Sequence, residues 1–250
     1  NADFIAAEDT RVSMKLLNHF GVKKPLISYH EHNHVTAGQS VLNRLLAGES
    51  CALMTDAGTP AISDPGEDLV RLCAENGVEV RAIPGCCAAV NALAVSGLPT
   101  GRFTFEGFLT VNKKSRREHL NSLKGETRTM IFHEAPHKLR TTLNDLTEAF
   151  GPDRRISLCR ELTKLHEEVL RFTLAEAVAY YEENAPKGEY VLVVAGAAPK
   201  TGAVVTLEDG VAQVLALKEQ GMRLKDAAKE VAEHTGLSKN ELYAAALERS

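Results

Sequence analysis

The feature that most constrains this chain is the alternation of short apolar runs with amphipathic segments over its first hundred residues. Residues 4–7, 25–29, 51–55 and 78–83 are runs of strand length, and the segments between them carry helical periodicity. Strands that alternate with helices are typical of βαβ units, whose strands lie parallel in one sheet. The sequence therefore predicts an α/β fold for this part of the chain.

Two segments rich in Gly, Pro and Ala divide the remainder. Residues 98–101 and 196–202 are typical of linkers, with mixed strand and helix patterns between them. After the second linker the pattern is helical throughout, interrupted at Gly221 and Gly236. We therefore predict an N-terminal α/β domain at 1–100, a second α/β domain at 101–198 and a small helical, helix-turn-helix-like module at 199–250.

Composition excludes several classes of protein. With 44% hydrophobic and 25% charged residues, the chain is neither disordered nor fibrous, and it has no apolar run long enough to cross a membrane. Its five cysteines are an odd number without a C-x-x-C pair, which favours reduced thiols and a cytoplasmic protein. A net charge of −4 excludes a global attraction to nucleic acid but leaves a local patch open.

Two Gly- and Pro-bearing segments follow predicted strands, at 56–62 and 84–88. Ligands of open parallel sheets bind beyond the carboxyl ends of the strands, where small residues let them approach the backbone. Neither segment is a P-loop or a G-x-G-x-x-G fingerprint, so ordinary βα loops remain the alternative.

Two helix starts are also predicted. Just beyond the first segment, Asp64 is expected to cap a helix with Pro65 at its first position, and Ser115 and Glu118 predict a second capped helix.

A family resemblance is carried by DAGTPAISDPG at 56–66, followed by IPG at 83–85. These motifs closely resemble the tetrapyrrole-methylase superfamily of S-adenosylmethionine-dependent methyltransferases, and within it the bacterial branch that modifies RNA of the small ribosomal subunit. The resemblance covers nearly the whole chain. Further agreement lies at 6–11, 29–33, 106–109, 134–137, 160–164 and 188–191.

The resemblance implies two α/β domains with the methyl donor in the cleft between them, plus the helical module. It implies 2′-O-methylation of a cytidine ribose in 16S rRNA by a homodimer that uses no metal, binds no DNA and enters no membrane. The alternative is methylation of a tetrapyrrole-like small molecule on the same fold; the basic loop and the helical module favour RNA.

Site residues follow from the resemblance by position. Two departures matter: the family's first strand is expected before Asn1, and Cys86-Cys87 replace a frequent Pro-Ser pair, which weakens a hydroxyl contact. The residues expected to bind S-adenosylmethionine are Asp56, Ala57, Gly58, Thr59, Ile62, Pro84, Gly85, Cys87, Ala88, Glu134, Ala135 and Leu162.

The sequence does not single out the group that takes the proton from the ribose hydroxyl. Polar residues of the family-like motifs are candidates, and for each a structural ion pair is the alternative. Arg160 would instead stabilise negative charge or hold a phosphate. The candidates are Glu8, Glu106, Arg160, Glu161 and Lys164.

A basic surface is expected in the second domain. Residues 113–160 hold eleven basic and six acidic side chains, a net charge of +5. We expect the densest cluster, Lys113, Lys114, Arg116 and Arg117, to contact RNA phosphates, although a solvated helix start gives the same pattern. Residues 201–250 hold six basic and eight acidic residues, so DNA reading is not expected there; docking on the ribosomal particle or simple packing both fit.

Three alternating histidines, His30, His32 and His34, would share one face of a strand. Such a face suits zinc, but no fourth ligand is evident and the resembled family uses no metal. A polar loop on the substrate side is the favoured interpretation.

Overall fold

The computed structural model describes residues 2–198 and 206–249. The chain divides into two compact units, Asn1–Ala197 and Ala198–Ser250, which are described one at a time. The strands are β1 (Phe4–Ala7), β2 (Leu26–Ser28), β3 (Cys51–Met54), β4 (Phe103–Phe108), β5 (Thr129–Glu134), β6 (Arg155–Arg160), β7 (Glu168–Thr173) and β8 (Tyr190–Val194). The helices are α1 (Thr10–His19), α2 (His34–Leu46), α3 (Glu67–Glu75), α4 (Ala88–Ser96), α5 (Lys113–Ser122), α6 (Leu139–Phe150), α7 (Leu174–Glu183), α8 (Leu207–Glu219), α9 (Leu224–Thr235) and α10 (Lys239–Glu248).

The first sheet has three parallel strands in the order β2-β1-β3. Its central strand, β1, is fully buried because both of its faces are covered. Phe4 and Ala6 belong to the core that includes α2 and α3, whereas Ile5 and Ala7 pack with Leu17 of α1. The predicted parallel βαβ arrangement is confirmed.

The second sheet has five strands in the order β4-β5-β8-β6-β7, of which β4 and β5 are parallel and the other pairs antiparallel. Helices α6 and α7 cover one face, and α4 covers the other. Side chains of β5 alternate between the two faces. Met130 and Phe132 lie in the core beneath α6 and α7, and Ile131 packs with α4. The start of α4 is thereby positioned over the second sheet.

Three local expectations differ from the structure. Residues 78–83 form no strand, and Ile83 is 84% exposed, because no neighbouring strand pairs with them in the described part of the chain. Helix α3 begins at Glu67 after Gly66, so Asp64 is not its N-cap. Helix α5 begins at Lys113 and is capped by Asn112, whose side chain accepts from two backbone N–H groups.

The second unit is a bundle of the three predicted helices, α8, α9 and α10. Their shared core includes Val214, Ala227 and Leu242, all fully buried. Gly210 allows the close approach, because a Cβ there would lie 2.7 Å from side-chain carbons of Leu237 and Leu242. The predicted linker 196–202 falls partly outside the described residues. Nowhere in residues 2–198 or 206–249 does a helix combine the length and apolarity that a membrane crossing demands.

Candidate active site

A cavity of about 330 Å³ lies in the first unit, where loops from both sheets meet. Short side chains and glycine make up its walls at the 57–59 and 87–88 positions, and its charged residues come mainly from the second sheet and the loops that follow its strands. It is lined by Ala57, Gly58, Thr59, Ile62, Ser63, Asp64, Cys87, Ala88, Phe108, His133, Glu134, Ala135, Cys159, Glu161, Leu162, Lys164, Glu189, Tyr190 and Val191.

The cavity contains nine of the twelve residues expected to bind the donor. The other three, Asp56, Pro84 and Gly85, do not line it, although Asp56 directly precedes the lining residue Ala57. The backbone N–H of Asp56 donates to Glu8 Oε2 at 3.1 Å, which fixes the start of the first loop.

Strained backbone is concentrated in the two loops that flank the cavity. In the described residues, the non-glycine positions with positive φ are Ala61, Ser63, Glu161 and Thr163, at φ of 68°, 60°, 49° and 67°. Left-handed conformations cost roughly 1 kcal/mol or more each for such residues. Strain of this kind persists where surrounding contacts enforce it and is typical of ligand sites.

The two predicted donor loops are joined to each other. Thr59 Oγ1 donates to the carbonyl of Cys86 at 2.8 Å. Cys87 is the N-cap of α4, and its side chain makes no capping hydrogen bond. The N-terminus of α4 therefore reaches the cavity at Cys87 and Ala88, where its N–H groups suit an anionic group of a ligand.

Glu134 ends β5 and is 3% exposed. Its Oε1 accepts from the N–H of Ala135 at 2.8 Å, and the hydroxyl of Thr142 donates to its Oε2. Thr142 in turn accepts from Arg116 Nη2 at 2.7 Å, and Arg116 Nε donates to Asp145 at 2.6 Å. A continuous chain of hydrogen bonds thus leads from the cavity to the surface of α6.

Glu161 and Lys164 form an ion pair at the edge of the cavity, with 2.9 Å between Oε1 and Nζ. The same oxygen accepts from the N–H of Glu189, and these donors lower the pKa of Glu161. The carboxylate in turn raises the pKa of Lys164 above its usual value. Lys164 is therefore charged at neutral pH and has no lone pair to accept a proton.

Gly188 makes the position of Glu161 possible. It has φ of +74°, and a Cβ on it would lie 2.4 Å from Glu161 Cγ. Only a residue without a side chain allows this approach and this backbone conformation together.

Asp64 is a cavity residue that the sequence interpretation assigned to a helix cap. Burial, and then the charges of Glu8 and Asp56, raise its pKa from 3.8 to about 6. The sequence signal for this role is that three carboxylates, Glu8, Asp56 and Asp64, follow the neighbouring strands β1 and β3. Four further titratable residues of the lining, His133, Cys159, Glu189 and Tyr190, are also absent from the expected set. His133 stands beside the Glu134 motif, where the sequence predicts only a histidine that pairs with backbone groups.

The remaining catalytic candidates lie outside the cavity lining. Glu106 Oε2 is 2.9 Å from His119 Nε2, and Arg160 Nε is 3.1 Å from Glu168 Oε2. Glu106 and Arg160 thus have structural side-chain partners, which was the alternative interpretation of these residues. Glu8 is the acceptor that holds Asp56.

A groove of about 650 Å³ lies between α5 and α6, close in sequence to the basic cluster. Lys113 and Arg117 line it, together with Lys124 and Lys138, while Lys114 is exposed beside it. Arg116 differs from expectation, because it is 9% exposed and its guanidinium is committed to Asp145 and Thr142. It organises the floor of the groove and is not a free phosphate contact.

The three histidines do not share a strand face, since β2 ends at Ser28. His30 Nδ1 accepts from the N–H of His32 within a turn, and His34 opens α2 with its Nδ1 2.6 Å from Asp68. Within the described ranges, no three His, Cys, Asp or Glu side chains are grouped to hold a metal ion.

The two sheets and the cavity between their loops define a methyltransferase of the tetrapyrrole-methylase type. Residues 1–178 match the family described as Tetrapyrrole (Corrin/Porphyrin) Methylases. The crystal structure of the methyltransferase CobJ aligns with a TM-score of 0.58 and 19% identity, covering 80% of this chain and 86% of that one. The uroporphyrin-III-C-methyltransferase from Thermus thermophilus gives 0.51 and 17%, covering 77% and 82%. These two likenesses establish the fold alone.

More similar sequences identify the branch. Residues 205–250 match the family described as RsmI C-terminal HTH domain. Ribosomal RNA small subunit methyltransferase I of Synechocystis sp. is 47% identical over 246 residues, covering 98% of this chain and 88% of that protein. The Halalkalibacterium halodurans protein of that name is 46% identical, covering 97% and 84%. The chain belongs to the ribosomal RNA small subunit methyltransferase I family, which confirms the resemblance and makes it a methyltransferase that uses a methyl donor.

Proposed function

We propose that this chain transfers a methyl group from S-adenosylmethionine to the ribose 2′-hydroxyl of a cytidine in 16S rRNA. The observation that carries this proposal is the cavity, in which nine of the expected donor residues meet from loops of both sheets. The names of the relatives supply the RNA of the small subunit as the substrate class.

The cavity fits such a donor in size and chemistry. Its volume of about 330 Å³ is within the range of sites for small ligands. The N-terminus of α4 suits the donor's carboxylate, and the small residues Gly58 and Ala135 leave room for a nucleoside. The donor supplies an electrophilic methyl group on a sulfonium, so the protein's task is to position it and to manage one proton.

Asp64 is the group we assign to that proton. A general base works best with a pKa near the operating pH, and the pKa of about 6 meets this condition. Glu161 is ionised but held by Lys164 and the N–H of Glu189, which makes it the weaker acceptor. Lys164 is already protonated, and its charge at the cavity edge favours an approaching phosphodiester.

The groove between α5 and α6 is proposed to hold the RNA backbone. Lys113, Lys114 and Arg117 supply the phosphate contacts expected from the sequence, and Lys124 and Lys138 extend them along the groove. Arg116 holds the floor through Asp145 and Thr142. We also propose a cytoplasmic homodimer, for which sedimentation velocity of the purified protein gives the test.

A direct assay uses small subunits purified from a strain that lacks the enzyme, with S-adenosylmethionine labelled on its methyl group. Nuclease digestion and mass spectrometry of the 16S rRNA are expected to yield 2′-O-methylcytidine. Tetrapyrroles offered in parallel test the second candidate, which the family description Tetrapyrrole (Corrin/Porphyrin) Methylases supports. Labelling of a tetrapyrrole without labelling of RNA would reverse the assignment.

A further inference from the structure

His133 occupies a position in the donor cavity that no motif pointed to. It lies next to the end of β5, on the face of the strand that also carries Ile131 and packs against α4. The rings of Phe105 and Phe108 meet its imidazole edge-on, each with 5.3 Å between ring centroids. These contacts hold the imidazole in one place, as a ligand-binding side chain requires.

The Nε2 atom of His133 is buried and has no hydrogen-bond partner among the described residues. Buried polar atoms of native proteins are nearly always paired, so an unpaired one needs an explanation. Burial lowers the pKa of His133, against a smaller opposing effect of Glu189, so the ring is neutral at neutral pH. A neutral imidazole offers one donor and one acceptor nitrogen, and Nε2 is free to act as either.

Two other buried side-chain atoms in the described ranges also lack partners, and they provide a contrast. They are Tyr29 Oη, in the core of the first sheet, and Thr104 Oγ1 on β4. Neither residue lines the cavity, whereas His133 does. Among the three, only the imidazole is placed where a bound ligand would complete its hydrogen bonding.

We infer that His133 is a ligand-binding residue of the donor cavity, whose Nε2 forms a hydrogen bond with a polar group of the nucleoside sulfonium. A hydroxyl of the donor's ribose is the simplest partner, because it both donates and accepts and so suits either tautomer. This inference rests on the proposed function and deepens it by adding a polar contact from β5 to a site otherwise built from loops.

The test compares three variants of the full-length protein by calorimetric titration with S-adenosylmethionine. His133→Phe keeps an aromatic ring between Phe105 and Phe108 but removes both nitrogens. His133→Gln returns a polar end at about the reach of Nε2. His137→Phe, a change of the same type four residues away on the wall of the groove, is the matched control.

We expect His133→Phe to weaken donor binding about tenfold, which is what the loss of one buried hydrogen bond gives. Its thermal midpoint without donor is expected to equal or exceed that of the wild type, because an unpaired polar atom has been removed. His133→Gln should recover most of the affinity, and His137→Phe should keep it. A merely structural histidine would instead lower the midpoint and leave the affinity unchanged.

A second readout examines the nitrogen itself. In protein with ¹⁵N-labelled histidine, the Nε2 resonance of His133 is expected to shift when S-adenosylhomocysteine is added. If the resonance does not shift, or if the His133→Phe protein binds S-adenosylmethionine with an affinity within twofold of the wild type, the inference is overturned and the proposed function stands. Failure of the wild type to bind the donor overturns both.

Discussion

The cavity between the loops of the two sheets and the α5–α6 groove lie in the same unit but are built in different ways. The cavity relies on backbone in strained conformations, on glycines and on a few partly buried polar groups. The groove is twice as large, and long cationic side chains such as Lys113 and Arg117 line it. We expect this difference to suit the cavity to one small molecule and the groove to an extended phosphate backbone.

The two regions are nevertheless joined. Glu134 belongs to the cavity and Arg116 to the groove, and Thr142 hydrogen-bonds to both. Each member of this chain is nearly buried, so none can lose its partner without leaving a polar group unsatisfied. Variants in one region should therefore leave the other unchanged unless they break this link.

The largest effect is expected from Asp64→Asn. If Asp64 accepts the ribose proton, kcat for the RNA falls roughly 100- to 10,000-fold while donor and RNA affinities change little. Single-turnover methylation, with binding measured separately, checks this. A variant that retains the wild-type kcat would exclude Asp64 as the base.

The same variant has a predicted pH signature in stability. Because the folded pKa of Asp64 is about 6 against 3.8 for the free side chain, ionising it opposes folding, and the penalty grows as pH rises from about 4 to 6. Asp64→Asn should therefore unfold with a free energy about 1–2 kcal/mol higher than wild type at pH 7.5, the value being reduced by partial exposure. Urea titrations should show this advantage disappear below pH 4.

Ala135→Trp fills the cavity and should separate it from the groove. The backbone of Ala135 is extended, with φ of −85° and ψ of 148°, so the new side chain is tolerated locally. Donor affinity is expected to fall about 100-fold, with RNA affinity unchanged. Thr141→Trp, on the groove wall, is the control and should lower RNA affinity while donor affinity stays unchanged. If either variant weakens the binding of both ligands equally, the cavity and the groove are not separate sites.

Removing charge from the groove tests the other region. The triple change of Lys113, Lys114 and Arg117 to Gln is expected to weaken RNA binding about 30-fold. The slope of log Kd against the logarithm of the salt concentration should decrease by about two to three. Donor affinity should stay the same. Neutralising the exposed Lys15, Lys23 and Lys24 provides a control of equal charge; if it weakens RNA binding as much, the groove has no special role.

The smallest functional effect should come from Thr142→Val, which cuts the link. Losing the hydroxyl leaves Glu134 and Arg116 each without one partner, so the unfolding free energy should drop by about 1–2 kcal/mol. Donor affinity is expected to weaken about threefold, since one wall of the cavity loosens. Thr142→Ser keeps the hydroxyl and should restore both values. A Thr142→Val protein with the stability and donor affinity of the wild type would contradict the link.

The sequence predicted the parallel first sheet because apolar runs and helical periodicity alternate clearly there. It could not predict that residues 79–83 stay exposed, since pairing depends on a neighbouring strand and not on local pattern. The basic run at 113–117 predicted a cationic surface, but only the helical phase set by α5 shows that Arg116 points inward with Leu120.

The candidate site residues also divide into those that a local motif predicts and those that depend on contacts between distant parts of the chain. Gly58 and Thr59 stand in a motif that both local chemistry and family resemblance indicate. Asp64 was missed because an Asp before Pro-Gly gives a helix-start signal whether or not it caps. Here Gly66, with φ of +145°, is the N-cap, and the helix begins at Glu67. Glu134, Ala135 and Leu162 are distant in sequence from the first loop, so only the resemblance brought them together with it.

Whether the cavity between the two sets of loops holds the methyl donor is decided by a crystal structure of the protein with S-adenosylhomocysteine. Density for the nucleoside is predicted between the 57–64 loop and Ala135, with its sulfur side toward Asp64. Density at any other place, with the cavity closed by the protein's own side chains, would contradict the account.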